Sequence, residues 1–179
     1  MSTESRTGVR VAVRGTGEAN VATGIPVLDH LLARLAEYAS FDLALDVAPG
    51  AALDEVAGAG HALGEGLSGP LRIGGARGHG SAVVPADEAL AHVALEASGR
   101  PLVVSNVDLS RAHVGGLSSD VVSRFVEALA EGAGLTVHVR LIEGEETEHV
   151  LEAIFKALGV ALAQACRPRG VRPREEPRA

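Results

Sequence analysis

The chain has 179 residues, enough for one domain or two small fused halves. Hydrophobic residues make up 46% and aromatics only 2%, so a sizeable core must be built from Val, Leu, Ile and Ala. A net charge of -7 with scattered basic residues excludes a nucleic-acid footprint, and a lone Cys166 excludes an internal disulfide or a cysteine-rich metal site. No run approaches 18 apolar residues, and the opening MSTESRTGVR carries no apolar signal core. A cytoplasmic protein with no membrane partner is expected.

In chain order, Gly8 to Arg14 (GVRVAVR) alternates and predicts a strand, closed by a turn at Gly15-Thr16-Gly17. Pro26 to Ala39 places apolar residues at 28, 31, 32 and 35, one face of a helix. Phe41 to Val47 predicts a strand, and Asp54 to Leu67 a helix despite its glycines. Ser81 to Val84 and Ala89 to Ala97 predict strands, followed by a turn at Ser98-Gly99-Arg100-Pro101 and a strand from Leu102 to Val107. Leu117 to Glu131 predicts a helix opened by a serine-type cap, Leu135 to Ile142 a strand, and Thr147 to Cys166 the last helix. The segment from Arg167 to Ala179 holds three prolines and no apolar period, which predicts a flexible tail or a docking arm.

One passage occurs twice. Leu53 to Leu67 (LDEVAGAGHALGEGL) and Glu148 to Leu162 (EHVLEAIFKALGVAL) share a frame ending in A-L-G at an offset of 95, which is 148 less 53. Residues 31–45 match residues 125–139 at an offset of 94, which is 125 less 31. Each half is therefore expected to run strand, helix, strand, helix. The fold class is α+β, an internally duplicated half-domain with two antiparallel-rich sheets packed with helices. The halves are placed at 1–94 and 95–166, with the tail at 167–179.

The two copies differ in chemistry. Glu148, His149 and Glu152 are metal-ligand types at helical spacing, whereas the same positions of the first copy are Leu53, Asp54 and Ala57. The bland alternative is an acidic helix start, since negative charge at a helix N-terminus is favourable in itself. His61, His79, His92 and His113 have no partner at ligand spacing, and His138 reads as a packed strand residue. Lys156 is the only lysine, against fifteen arginines.

Further motifs carry a resemblance. They are TGI-x-x-x-DHLL (Thr23 to Leu32), SFDL (Ser40 to Leu43), VP-x-DEAL (Val84 to Leu90), SGRP (Ser98 to Pro101), NVD (Asn106 to Asp108), VGG (Val114 to Gly116), AGLT-x-H-x-R (Ala133 to Arg140) and H-x-x-E-A-x-FKA (His149 to Ala157). In this order they resemble imidazoleglycerol-phosphate dehydratase of histidine biosynthesis, from about Glu4 through the last helix. The resemblance implies a duplicated α+β fold, oligomers of trimers with metal between subunits, and removal of water from imidazole glycerol phosphate with two manganese ions holding the imidazolate. It implies metal ligands at His30, Asp54, Glu148, His149 and Glu152, phosphate contacts at Arg100 and Lys156, and an acid/base role for Glu4. The family's ligands come mainly from two HH-x-x-E motifs, one per half; the chain departs from the first at Leu53 and Ala57, carries Glu148 and Arg124 where histidine is usual, and Arg34 where glutamine is usual. The family's arginine before VP-x-DEAL falls on Gly78, beside Arg77. Manganese at reduced occupancy or none, a homo-oligomer that stays a trimer instead of growing to about 24 subunits, and a small phosphorylated substrate are the expectations. A paralogue that keeps the fold for binding or assembly, and a one-metal lyase with a changed substrate, are the alternatives.

Overall fold

The computed structural model describes residues 6–108 and 121–170. Its elements are β1 (Gly8–Ala12), β2 (Ala19–Ala22), α1 (Pro26–Ala39), β3 (Asp42–Asp46), α2 (Ala52–Arg72), β4 (His79–Ala86), β5 (Ala89–Glu96), β6 (Leu102–Ser105), α3 (Val121–Ala133), β7 (Thr136–Glu143) and α4 (Thr147–Cys166). Glu4 lies outside the described residues, as do Leu117 to Asp120, where the third helix was expected to begin.

Alternation decides the strands. Ala89, Ala91, Val93 and Leu95 of β5 are buried, while the residues between them face outward. Periodicity decides the helices: Leu28, Leu31, Leu32 and Leu35 of α1 are buried, and Pro26 opens it where a missing N–H costs nothing. Helix α2 runs further than expected and passes through Pro70. Leu67 and Leu71 on either side are both buried, and this packing offsets the lost backbone bond. Helix α4 is long and apolar enough to cross a membrane, but 67% of that stretch is buried in the protein, where it forms the centre of the core.

The duplication is visible in the strand pairing. One sheet has the order β1-β3-β2 and the other β4-β5-β7-β6. Strand β3 pairs antiparallel with β1 and parallel with β2; β7 pairs antiparallel with β5 and parallel with β6. Registers match too, Val9 opposite Leu45 in one half and Val93 opposite Val139 in the other. The repeating unit is therefore strand, strand, helix, strand, helix, with β4 as an added edge. The simpler strand-helix-strand-helix unit omitted β2, whose four residues are too short to show alternation and are held by pairing with β3. The dividing line at 94/95 falls inside β5. Within the segment assigned to a flexible tail, residues 167–170 are docked: Arg77 N–H donates to Arg167 O at 2.7 Å and Arg169 N–H to Gly75 O at 2.7 Å.

The four helices pack between the sheets as two pairs, α2 with α3 and α1 with α4. Glycine sets both contacts. A side-chain carbon at Gly159 would lie 2.4 Å from Leu35 O, and one at Gly64 would lie 2.6 Å from Leu129 O. These are the same contact twice, since Gly159 follows Gly64 by 95 and Leu129 follows Leu35 by 94. The shared A-L-G frame thus has a packing cause. Phe125 of α3 and Phe155 of α4 bind the pairs together with ring centroids 5.0 Å apart, worth about 0.5–1.5 kcal/mol beyond area burial.

Gly159→Ala is expected to lower stability by about 1–3 kcal/mol through overpacking. Gly58→Ala, whose added carbon meets only Val47 Cγ1 at an ordinary 3.4 Å, is expected to raise stability by about 0.5–1 kcal/mol. Urea unfolding midpoints check both signs.

Candidate functional site

Glu148, Glu152, Lys156 and Gly159 lie along one face of α4, by the three- and four-residue spacing of a helix. Because Gly159 brings α4 against Leu35, this face meets Arg34 and Tyr38 of α1. Arg34 Nε stands 3.3 Å from Glu152 Oε1, and Lys156 Nζ stands 3.3 Å from the same oxygen. Arg34 Nη1 also donates to Glu37 Oε2 at 2.6 Å. Lys156 lies over the Tyr38 ring, 5.1 Å from its centroid, within cation–π range, and is only 13% exposed. Arg34 Nε is buried and close to Glu152, but its alignment makes no hydrogen bond.

The matching positions on α2 and α3 show what this face is without charge. By the same offsets, Glu152 corresponds to Ala57, Arg34 to Ala128, Lys156 to His61 and Tyr38 to Gly132. Here small residues let the helices close further. A side-chain carbon at Gly60 would meet Phe125 O at 2.4 Å and Ala128 Cβ at 3.1 Å, and one at Gly132 would meet His61 O at 2.5 Å. Leu53 and Ala57 offer no donor atom to any cation.

At the start of α4, the β4–β5 hairpin provides the partners. Asp87 is held in the left-handed region at φ 49, at the tight turn between the strands. Glu88 Oε1 accepts the backbone N–H of Glu146 at 3.0 Å and of Glu145 at 3.4 Å, which caps the helix start. Glu88 Oε2 accepts from His149 Nδ1 at 2.5 Å, and Asp87 Oδ2 lies 3.3 Å from His149 Nε2. A carboxylate only accepts, so His149 Nδ1 carries the hydrogen of the Glu88 bond, while Nε2 lies at ion-pair distance from Asp87. The Glu88 carboxyl is pulled down to about 2, first by the Glu146 N–H and then by His149. His149 is raised above the usual imidazole value, first by its hydrogen bond to Glu88.

Of the other expected site residues, His30 sits exposed in the first turn of α1 and Asp54 exposed in the first turn of α2. Its neighbour Asp29 has a structural task, accepting the Thr23 hydroxyl at 2.6 Å and the Thr23 N–H at 2.9 Å to fix the loop before α1. Arg100 is exposed in a turn locked by Ser98, whose hydroxyl accepts the Arg100 N–H at 3.0 Å and contacts Thr136 Oγ1 at 2.8 Å. That turn is at the opposite end of β7 from the start of α4, roughly 23 Å along the strand by strand rise. Within one chain, Arg100 and the start of α4 are therefore not brought together. Among the described residues, no group of three or more His, Cys, Asp and Glu is arranged to hold a metal ion. Sequence reasoning missed Glu88 and Asp87 as partners of His149, although both sit in the VP-x-DEAL motif; only the hairpin reveals what they face.

The opposed shifts define a pH window. The Glu88 contribution is present above its ordinary value of 4.5 and lost as pH falls toward about 2. The His149 contribution is present below its ordinary value of 6.5 and lost as pH rises through the raised value. The melting-temperature advantage of the natural protein over Glu88→Gln is therefore expected to peak between about pH 4.5 and 6.5. A difference that stays constant from acid to alkaline pH contradicts the pairing.

Residues 23–162 match the family model described as imidazoleglycerol-phosphate dehydratase. The imidazoleglycerol-phosphate dehydratase of Desulforudis audaxviator is 39% identical over 168 residues, covering 92% of this chain and 86% of that one. That of Syntrophobacter fumaroxidans is 40% identical over 171 residues, covering 93% and 87%. Among solved structures, imidazoleglycerol-phosphate dehydratase from Staphylococcus aureus superposes with a TM-score of 0.84 at 28% identity, covering 94% of this chain and 97% of that one. The Pyrococcus furiosus protein in complex with (S)-C348 superposes with a TM-score of 0.78 at 28% identity, covering 94% and 93%. The chain belongs to the imidazoleglycerol-phosphate dehydratase family.

Proposed function

We propose that the chain is an imidazoleglycerol-phosphate dehydratase-like protein of histidine biosynthesis that handles imidazole glycerol phosphate, with its dehydration step impaired. The substrate reading is supported by a match that runs nearly end to end with relatives named for that reaction. The impairment is supported by one observation, the absence of any donor atom at Leu53 and Ala57. Two divalent cations do not fit the remaining donor set. A cation that polarises a reacting group contributes several kcal/mol to the transition state, so its loss costs at least about two orders of magnitude in rate. A cytoplasmic setting goes with this reading, as does the free thiol of Cys166.

Purified protein should bind imidazole glycerol phosphate in calorimetry and turn it over at least about 100-fold more slowly than the Staphylococcus aureus enzyme assayed beside it. Equal turnover overturns the impairment. Absence of binding overturns the substrate reading and favours a fold kept for assembly alone. That second reading is favoured by Lys156, which Glu152 and Tyr38 already engage.

We also propose a homo-oligomer, a trimer, joined through the outer faces of the two sheets. Each sheet packs helices on one face only. The outer face of β4-β5-β7-β6 exposes Val83, Leu102, Val104 and Ile142 beside His92 and Arg140. The outer face of β1-β3-β2 offers small residues, Ala12 and Ala44, beside Arg10, Glu18 and Asp42, around a trough of about 570 Å³. Large side chains opposite small ones suit a head-to-tail contact. Light scattering should give three copies of 18.3 kDa; a monomer, or growth to about 24 copies on adding manganese, contradicts this.

A further inference from the structure

We propose that Arg34 stands in for a divalent cation at Glu152, so that the α1–α4 face is neutralised from within and takes no manganese. The inference rests on the family reading for which positions of α4 are ligand positions, and on this chain's own contacts for what became of them.

A metal needs a free lone pair on Glu152 and a free ring nitrogen on His149. Glu152 Oε1 is 3.3 Å from two cationic nitrogens on two different helices. Lys156 belongs to the family motif, so the added charge at this oxygen is Arg34, and a divalent ion bound there would sit beside the guanidinium. His149 is no obstacle in itself: its Nδ1 is bonded to Glu88, the orientation a metal-ligating imidazole usually has, and its Nε2 lies 3.3 Å from Asp87 without a hydrogen bond.

The second copy of the face supplies an independent comparison within the same chain. Where the carboxylate is absent, at Ala57, the cation is absent as well, at Ala128. Carboxylate and guanidinium occur together on α1–α4 and are missing together on α2–α3. This is the pattern of a charge answered by a side chain. The burial of Arg34 Nε points the same way, since an arginine with no inward partner would turn its whole guanidinium to water.

The probe is manganese chloride, added to full-length protein cleared of metal with EDTA. Manganese binding is read from loss of the free-ion electron paramagnetic resonance signal, and its effect from the melting temperature. The natural protein should leave the free-ion signal at the level of buffer and show no shift in melting temperature. Arg34→Gln, which removes the charge and keeps an amide near Glu152, should acquire saturable manganese binding and a manganese-dependent rise in melting temperature. Arg34→Lys, which keeps the charge, should remain indifferent, and this comparison holds even where Arg34→Gln is less stable. Saturable manganese binding by the natural protein that disappears in Glu152→Gln overturns the proposal, as does an Arg34→Gln protein no more responsive than the natural one. Neither readout uses substrate, so failure here is separable from failure of the substrate reading.

Discussion

The approach of α4 to α1 over Gly159 is the contact on which the site depends. With no side chain at that position, the Leu35 carbonyl oxygen comes within 2.4 Å of where a Cβ would be, and the helices close far enough for Arg34 to join Lys156 at one oxygen of Glu152. The same contact, Gly64 on the Leu129 carbonyl, closes α2 on α3. One backbone device therefore builds both helix pairs, and the side chains laid over it decide whether the result is a charged face or a filled one. In the α2–α3 pair, Ala57, Ala128, Gly60 and Gly132 fill it with backbone. In the α1–α4 pair, the charges remain and neutralise one another.

Fold and site are separable for this reason. The core is made of buried aliphatic residues and three phenylalanines, and the two helix pairs are joined by the Phe125–Phe155 contact. None of these groups bears on metal or phosphate chemistry. The half-repeat keeps its strand register and its glycine contact while α2 keeps Asp54 but loses the donors at Leu53 and Ala57. Packing at Gly64 and Leu129 restrains those two positions tightly; nothing in the packing restrains Leu53 or Ala57 to be ligands. The Asp87–Glu88 hairpin stands between the two roles, because the carboxylate that caps α4 also claims His149.

Long periodic elements were legible in the sequence. Helices α1 and α4 begin and end where the apolar period and the flanking residues place them, Pro26–Ala39 and Thr147–Cys166. The A-L-G frame was visible as a repeat, but its cause was not, since the carbonyls it approaches belong to helices remote in sequence. Strand β2 was invisible because four residues carry no measurable alternation and pairing with β3 alone defines them. At the site, sequence singled out His149, Glu152 and Lys156 by motif and Arg34 by departure from it. Their mutual contacts, and Glu88 as the partner of His149, join residues 61 or more positions apart, apart from the Glu152–Lys156 turn, and no local pattern encodes such distances.

The claim most open to direct measurement is that Arg34 and Glu152 are an energetic pair across the α1–α4 contact. A double-mutant cycle with Arg34→Met and Glu152→Gln, read by urea unfolding at neutral pH, isolates that pair. Both side chains are partly exposed, at 39% and 23%, so the coupling is screened. A favourable coupling of about 0.2–1 kcal/mol, shrinking in high salt, is predicted. Strictly additive single substitutions would contradict it.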